Sequence, residues 1–91
     1  MFYVVMALVN PGITVKDVQD ILGPLVVSFY RIAPNVWIIY APPNRAKDIS
    51  DRLQPVCSPG GRVFVSQLDL NDRWGWLDKA TWEWMKTHGG P

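Results

Sequence analysis

Two carboxylates and an amide fall within four residues at Asp69-Leu70-Asn71-Asp72. Such a group of hard oxygen donors is this chain's nearest approach to a divalent-metal site, where a bound ion would activate water or clamp a phosphoryl group. The spacing fits no calcium-loop pattern. Asp and Asn at a strand end also make turns, because their side chains bond nearby backbone. Turn chemistry is the simpler account, so no residue is given a catalytic or metal-binding role, and Asp69 and Asp72 are kept as the alternative pair. His88 is the only histidine and stands three residues from the end of the sequence, without a partner that would make it a general base; a frayed surface position is expected. Cys57 is the only cysteine. It excludes a disulfide within the chain, leaves too few thiols for a zinc cluster, and points to a reducing, cytoplasmic setting.

A different chemistry is offered by residues 73–85, which hold four of the five tryptophans. Arg73, Trp74, Trp76 and Lys79 interleave cations with indoles, a mixture able to stack bases and hold phosphates. The simpler expectation is that Trp76, Trp82 and Trp84 pack onto a sheet face while Arg73 and Lys79 stay solvated, since four exposed indoles are an aggregation liability. Arg31 and Arg62, at the ends of strand patterns, add positive charge that either serves binding or discourages edge pairing. Net charge is only +1, with nine basic and eight acidic residues scattered along the chain. A nucleic-acid surface would therefore have to be assembled by folding or dimerisation.

These residues hang on elements that the hydrophobic pattern outlines. Apolar content is 48% and charged content 19% over 91 residues, which predicts one packed domain. Residues 2–9 are apolar throughout, as in a strand covered on both faces, and are too few to span a bilayer; no signal peptide and no membrane contact are expected. Asn10-Pro11-Gly12 ends that strand. Thr14 and Asp17 form a capping-box start for a helix carrying Val15, Val18, Ile21 and Leu22, which Gly23-Pro24 ends. Residues 25–32 and 36–40 are two further strands about the turn Ala33-Pro34-Asn35. Asn44 is the expected N-cap of a second helix with Ala46, Ile49 and Leu53 on its apolar stripe, ended by Pro55. After Ser58-Pro59-Gly60-Gly61, residues 62–69 alternate as a fourth strand, and Asp78 caps a last helix over 79–88 ahead of Gly89-Gly90-Pro91.

The order strand, helix, strand, strand, helix, strand is the ferredoxin-like βαββαβ pattern of the α+β class: a four-stranded antiparallel sheet with two helices on one face. Residues 1–70 make this core and 71–91 a Trp-rich C-terminal segment of the same domain. The two segments apolar throughout, the first and third strands, are those the topology places centrally. Two helices cover one face, so the other needs the tail, a second subunit, or both; a homodimer is expected, with Trp82, Trp84 and Val65 at its interface.

The first strand running into Asn-Pro-Gly, the stretch Asn35-Val36-Trp37-Ile38-Ile39, and Arg62-Val63-Phe64-Val65 before a Gly-Trp-Leu-x-Lys-x-x-Trp-x-Trp tail resemble one family across nearly the whole chain. It is that of the small ferredoxin-like relatives of the CRISPR-associated adaptation nuclease subunit, especially the stand-alone, SinR-like members. The resemblance implies a dimer in which strands and C-terminal segments cross the interface. In nuclease members it implies an aspartate at the end of the first strand, paired across the dimer to hold a divalent metal such as magnesium. Here the matching position is Ala7, and no acidic residue precedes Asp17. A methyl group cannot bind magnesium. The expectation is therefore a non-catalytic homodimeric module acting through an unidentified protein partner, in one version a mobile-element inhibitor of a host antiviral defence complex. The alternatives are a metal-dependent nuclease using Asp69 or Asp72 with magnesium as cofactor, and a nucleic-acid-binding protein that does not cleave.

Overall fold

A computed structural model of the chain describes residues 1–10, 12–57 and 60–88. Pro11, Ser58, Pro59 and residues 89–91 lie outside the described residues, and with them parts of the Asn10-Pro11-Gly12 and Ser58-Pro59-Gly60-Gly61 turns and of the Gly89-Gly90-Pro91 ending. Seven elements follow in the order β1 (Phe2–Leu8), α1 (Val15–Leu22), β2 (Ser28–Ala33), β3 (Val36–Tyr40), α2 (Ala46–Cys57), β4 (Arg62–Leu68) and α3 (Lys79–Thr87). The class is α+β: one open antiparallel sheet of four strands in the order β2-β3-β1-β4, with three helices. The centre of the sheet is thus made by β1 and β3, the two strands whose sequences are apolar on every residue. The pairs Val5↔Trp37 and Val5↔Val65 set the register, so odd residues of β1 share a face with Trp37, Ile39, Val63 and Val65.

Helix α1 starts as its sequence predicts. The Asp17 amide donates to the Thr14 hydroxyl at 3.0 Å and the Thr14 amide donates to the Asp17 carboxylate at 2.9 Å, satisfying two amides that the first turn would otherwise leave bare. Val18 and Leu22 then face inward. The next strand begins later than its apolar run. Leu25 and Val26 are held in a turn by amide bonds to the Leu22 carbonyl, at 2.8 and 3.1 Å, and pack against the core ahead of β2.

Two expectations for α2 are corrected. Asn44 is no N-cap: it sits at φ 62°, the left-handed conformation that asparagine tolerates, and the helix starts at Ala46. The amide of Arg45 instead donates to the Tyr3 hydroxyl at 3.2 Å, and that hydroxyl donates to the Pro42 carbonyl at 2.7 Å, so a buried tyrosine of β1 takes over the capping. Nor does Pro55 end the helix, which continues to Cys57. Proline deletes one backbone bond, here beside the exposed Asp51 where water can replace it, while Leu53 and Cys57 on the other side anchor the last turn in the core. Four residues past Cys57, Gly61 comes back against the helix end, and a Cβ there would collide with the Cys57 carbonyl.

Helices α1 and α2 close one face of the sheet. Tyr3, Val5, Ala7, Val18, Leu22, Trp37, Ile39, Ile49, Leu53 and Cys57 form its fully buried core, with Val63 and Val65 packed against them. Trp37 is 0% exposed, and its indole N–H is buried without an acceptor among the described residues. An unmade hydrogen bond of this kind costs about 1–3 kcal/mol, which the area buried by the indole has to outweigh.

On the opposite face α3 lies across only one end. Phe2, Ile38, Leu70 and Met85 form a second buried cluster, with Ile32, Tyr40, Leu68, Trp82 and Trp84 packed against it. Beyond its reach the same face continues through Met6, Leu8, Val36 and Phe64, where Leu8 is 43% and Phe64 55% exposed. Among the described residues no helix is long and apolar enough to cross a membrane.

Candidate functional site

The chemistry-bearing residues gather where β4 passes through residues 69–78 into α3. Asp69 ends the strand by accepting the Asn71 amide at 2.9 Å, a side-chain turn that places Leu70 inward and Asn71 and Asp72 outward. Arg73 is tied down twice. Its guanidinium donates to the Leu70 carbonyl at 2.9 Å and lies 5.5 Å from the centre of the Trp82 ring, a cation–π contact to the first turn of α3. Residues 73–78 then run in irregular backbone, and α3 begins after Asp78, whose side chain makes no capping bond.

This arrangement opens a cleft of about 540 Å³ lined by Leu70, Asn71, Arg73, Trp74, Gly75, Trp82 and Lys86. Buried Leu70 contributes to it from below, and Trp74, 97% exposed, stands at its rim with its ring open to solvent. Among the described residues, both charged residues of the lining are cations. Lys86 comes to Trp82 through helical spacing, four residues on along α3. The sequence reading named Arg73 and Trp74 but missed Lys86, Asn71 and Trp82 as parts of the same cleft; the i, i+4 relation of Trp82 to Lys86 was the available signal.

The other binding candidates are dispersed. Trp76 is 97% exposed, which corrects the expectation that it packs on the sheet. It lies outside the cleft lining, in the irregular, exposed backbone between Gly75 and α3. Lys79 pairs with Glu83 at 3.6 Å on the surface of α3. Arg31 donates to the Pro34 carbonyl at 3.2 Å and lies over the Trp37 ring at 5.4 Å, so it serves the turn between β2 and β3. Arg62 is exposed on β4, at the opposite edge of the sheet from β2. The two edge arginines therefore add nothing to each other or to the cleft.

Of the expected interface residues, Trp84 and Trp82 are half-buried against their own sheet. Trp84 donates to the Ser28 hydroxyl at 3.2 Å and meets Phe2 and Tyr30 at ring distances of 5.9 and 5.8 Å. Val65 points to the face under α1 and α2 and packs on that core, so the β4 residues exposed on the other face are its neighbours, Phe64 first. The alternation of residues 62–68 already separated Val65 from Phe64. His88 is not frayed: its ring lies tilted against Trp84 at 4.8 Å and Tyr40 at 5.3 Å, with Nδ1 3.0 Å from the Trp84 carbonyl.

Ala7 is fully buried under the helices. Cys57 is 1% exposed, and burial pushes its thiol above its ordinary range, against the thiolate a nucleophile needs. Among the described residues no three of His, Cys, Asp and Glu come together as a metal-binding group. No protein-family model, curated protein or solved structure matches the chain.

Proposed function

We propose that this chain is a ferredoxin-like binding module that works as a homodimer and acts by docking onto another protein, without catalysing a reaction. The ferredoxin-like reading is supported by the strand order β2-β3-β1-β4 with α1 and α2 on one face, α3 being an addition to the other. The observation that carries the functional reading is the unfinished face. Phe64 and Leu8 on the sheet and Trp76 beside α3 present large apolar side chains to solvent, the residue types that anchor interfaces.

Area favours an interface that joins these parts. Half-exposed Phe64 and Leu8 offer on the order of 200 Å² per copy, while Trp76 offers on the order of 200 Å² more. Two copies contributing both reach roughly 800 Å², the range of weak, reversible association, and the sheet patch alone reaches about half of that. In the wider version taken from the family resemblance, the docking partner is a host defence complex and the ancestral nuclease chemistry has been given up.

Sedimentation of the full chain at micromolar concentration tests the dimer, and a monodisperse monomer refutes it. A pull-down with nuclease-treated extract tests the partner: a protein retained by wild type and lost with Phe64→Glu supports docking through this face. Incubation with RNA and DNA plus magnesium or manganese tests the absence of catalysis, and cleavage abolished by Asp69→Ala or Asp72→Ala would overturn it.

A further inference from the structure

The cleft between the β4 turn and α3 has a composition that protein docking does not require. Among the described residues its two charged side chains, Arg73 and Lys86, are both cationic, and no carboxylate lines it. Its polar neutral group is the Asn71 amide, which can both donate and accept. Its rim is an indole free on its ring faces, whereas the second indole, Trp82, is already engaged by Arg73. An anion and a flat ring in one ligand match all of these. At about 540 Å³ the space falls within the range that holds small ligands.

We propose that this cleft binds a nucleobase carrying its phosphate: the base stacks on Trp74, Asn71 meets the base edge, and Arg73 and Lys86 hold the phosphate. Arg73 is suited to this role because its bond to the Leu70 carbonyl and its position over Trp82 fix the guanidinium before any ligand arrives, so little freedom is lost on binding. Stacking accepts any base, so recognition is of the nucleotide unit and not of a sequence. The unit reaches the cleft either as a free mononucleotide or as part of a single strand.

The experiment uses the full chain with two probes, adenosine monophosphate and a fluorescein-labelled mixed-sequence 12-nucleotide single strand, read by anisotropy and by quenching of tryptophan emission. Trp74→Ala is expected to weaken binding about 5- to 150-fold, the worth of one stacked base. Trp76→Ala removes an equally exposed indole outside the lining and is expected to leave affinity unchanged. For the single strand, the logarithm of affinity falls with the logarithm of salt at a slope of about −0.7 per phosphate held, and Lys86→Gln lowers that slope by about one such step. Binding of the mononucleotide as well as the strand assigns a self-contained nucleotide site; binding of the strand alone, with the Trp74 and Lys86 effects, assigns a strand site. Equal losses with Trp74→Ala and Trp76→Ala overturn the proposal in favour of adhesion to any exposed indole. Absence of binding by both probes at low salt overturns it too. Absence of nucleotide binding leaves the proposed dimer untouched, and sedimentation of the Trp76→Ala variant shows separately whether that ring serves assembly.

Discussion

Under α1 and α2 the sheet is sealed by aliphatic side chains together with Tyr3, Trp37 and Cys57, and the core they form excludes water almost completely. Under α3 the same sheet is sealed at one end only, by an aromatic cluster, and the rest of that face and the segment leading to α3 stay open. The two helices of the first face lie within the alternation of helix and strand, each pinned between strands that it must connect. The third helix arrives through residues 74–78, all exposed, so its hold depends on Trp82, Trp84 and Met85. One face is therefore closed by its packing, and the other keeps apolar surface in contact with solvent.

Breaking the sealed face should cost most. Trp37→Ala is expected to destabilise by about 3–5 kcal/mol in urea unfolding. Trp37→Phe should cost far less, because it removes the unpaired N–H along with part of the ring. A Phe variant as damaged as the Ala variant would mean that an acceptor for that N–H exists in solution. Next comes the aromatic face, where Trp84→Ala should cost about 2 kcal/mol, with faster amide exchange in α3 and unchanged exchange in α1. Uniform acceleration in both helices would erase the distinction between the faces. Thr14→Ala removes half of the α1 capping box and should cost about 1 kcal/mol. Smallest of all, Trp74→Ala and Trp76→Ala should leave unfolding free energy within about 0.5 kcal/mol, since neither ring is buried. A larger loss measured on the dimer but not on dilute monomer would tie those rings to assembly.

Much of the sealed face was legible in the sequence, because it rests on local rules. The Thr14-Asp17 capping box, the all-apolar β1 and β3, and the alternation of β4 each state their own environment. The misreadings have a common cause in tertiary contacts. Pro55 breaks a helix in isolation, but buried Cys57 draws the chain on for another half turn. Asn44 is a good cap by type, yet its backbone is left-handed and the helix begins at Ala46, where the amide of Arg45 is held by the Tyr3 hydroxyl some 40 residues away. For the open face the sequence said only that cover was needed. Trp76, Trp82 and Trp84 share one residue type and one short segment, and what divides them is whether the backbone beneath has already entered α3. The cleft was half legible: Arg73 and Trp74 are adjacent, while Lys86 joins them only after the chain turns at Leu70.

The central place of β1 also bears on how the chain is made. Its partners, β3 and β4, begin at residues 36 and 62, so the first and most apolar strand of the sheet is synthesised long before either of its neighbours. At ribosomal speeds of about 5–20 residues per second, β4 follows β1 by roughly 3–12 s. For that interval a seven-residue strand of high β-propensity, without a charge or a proline inside it, is the part of the nascent chain that most needs a chaperone.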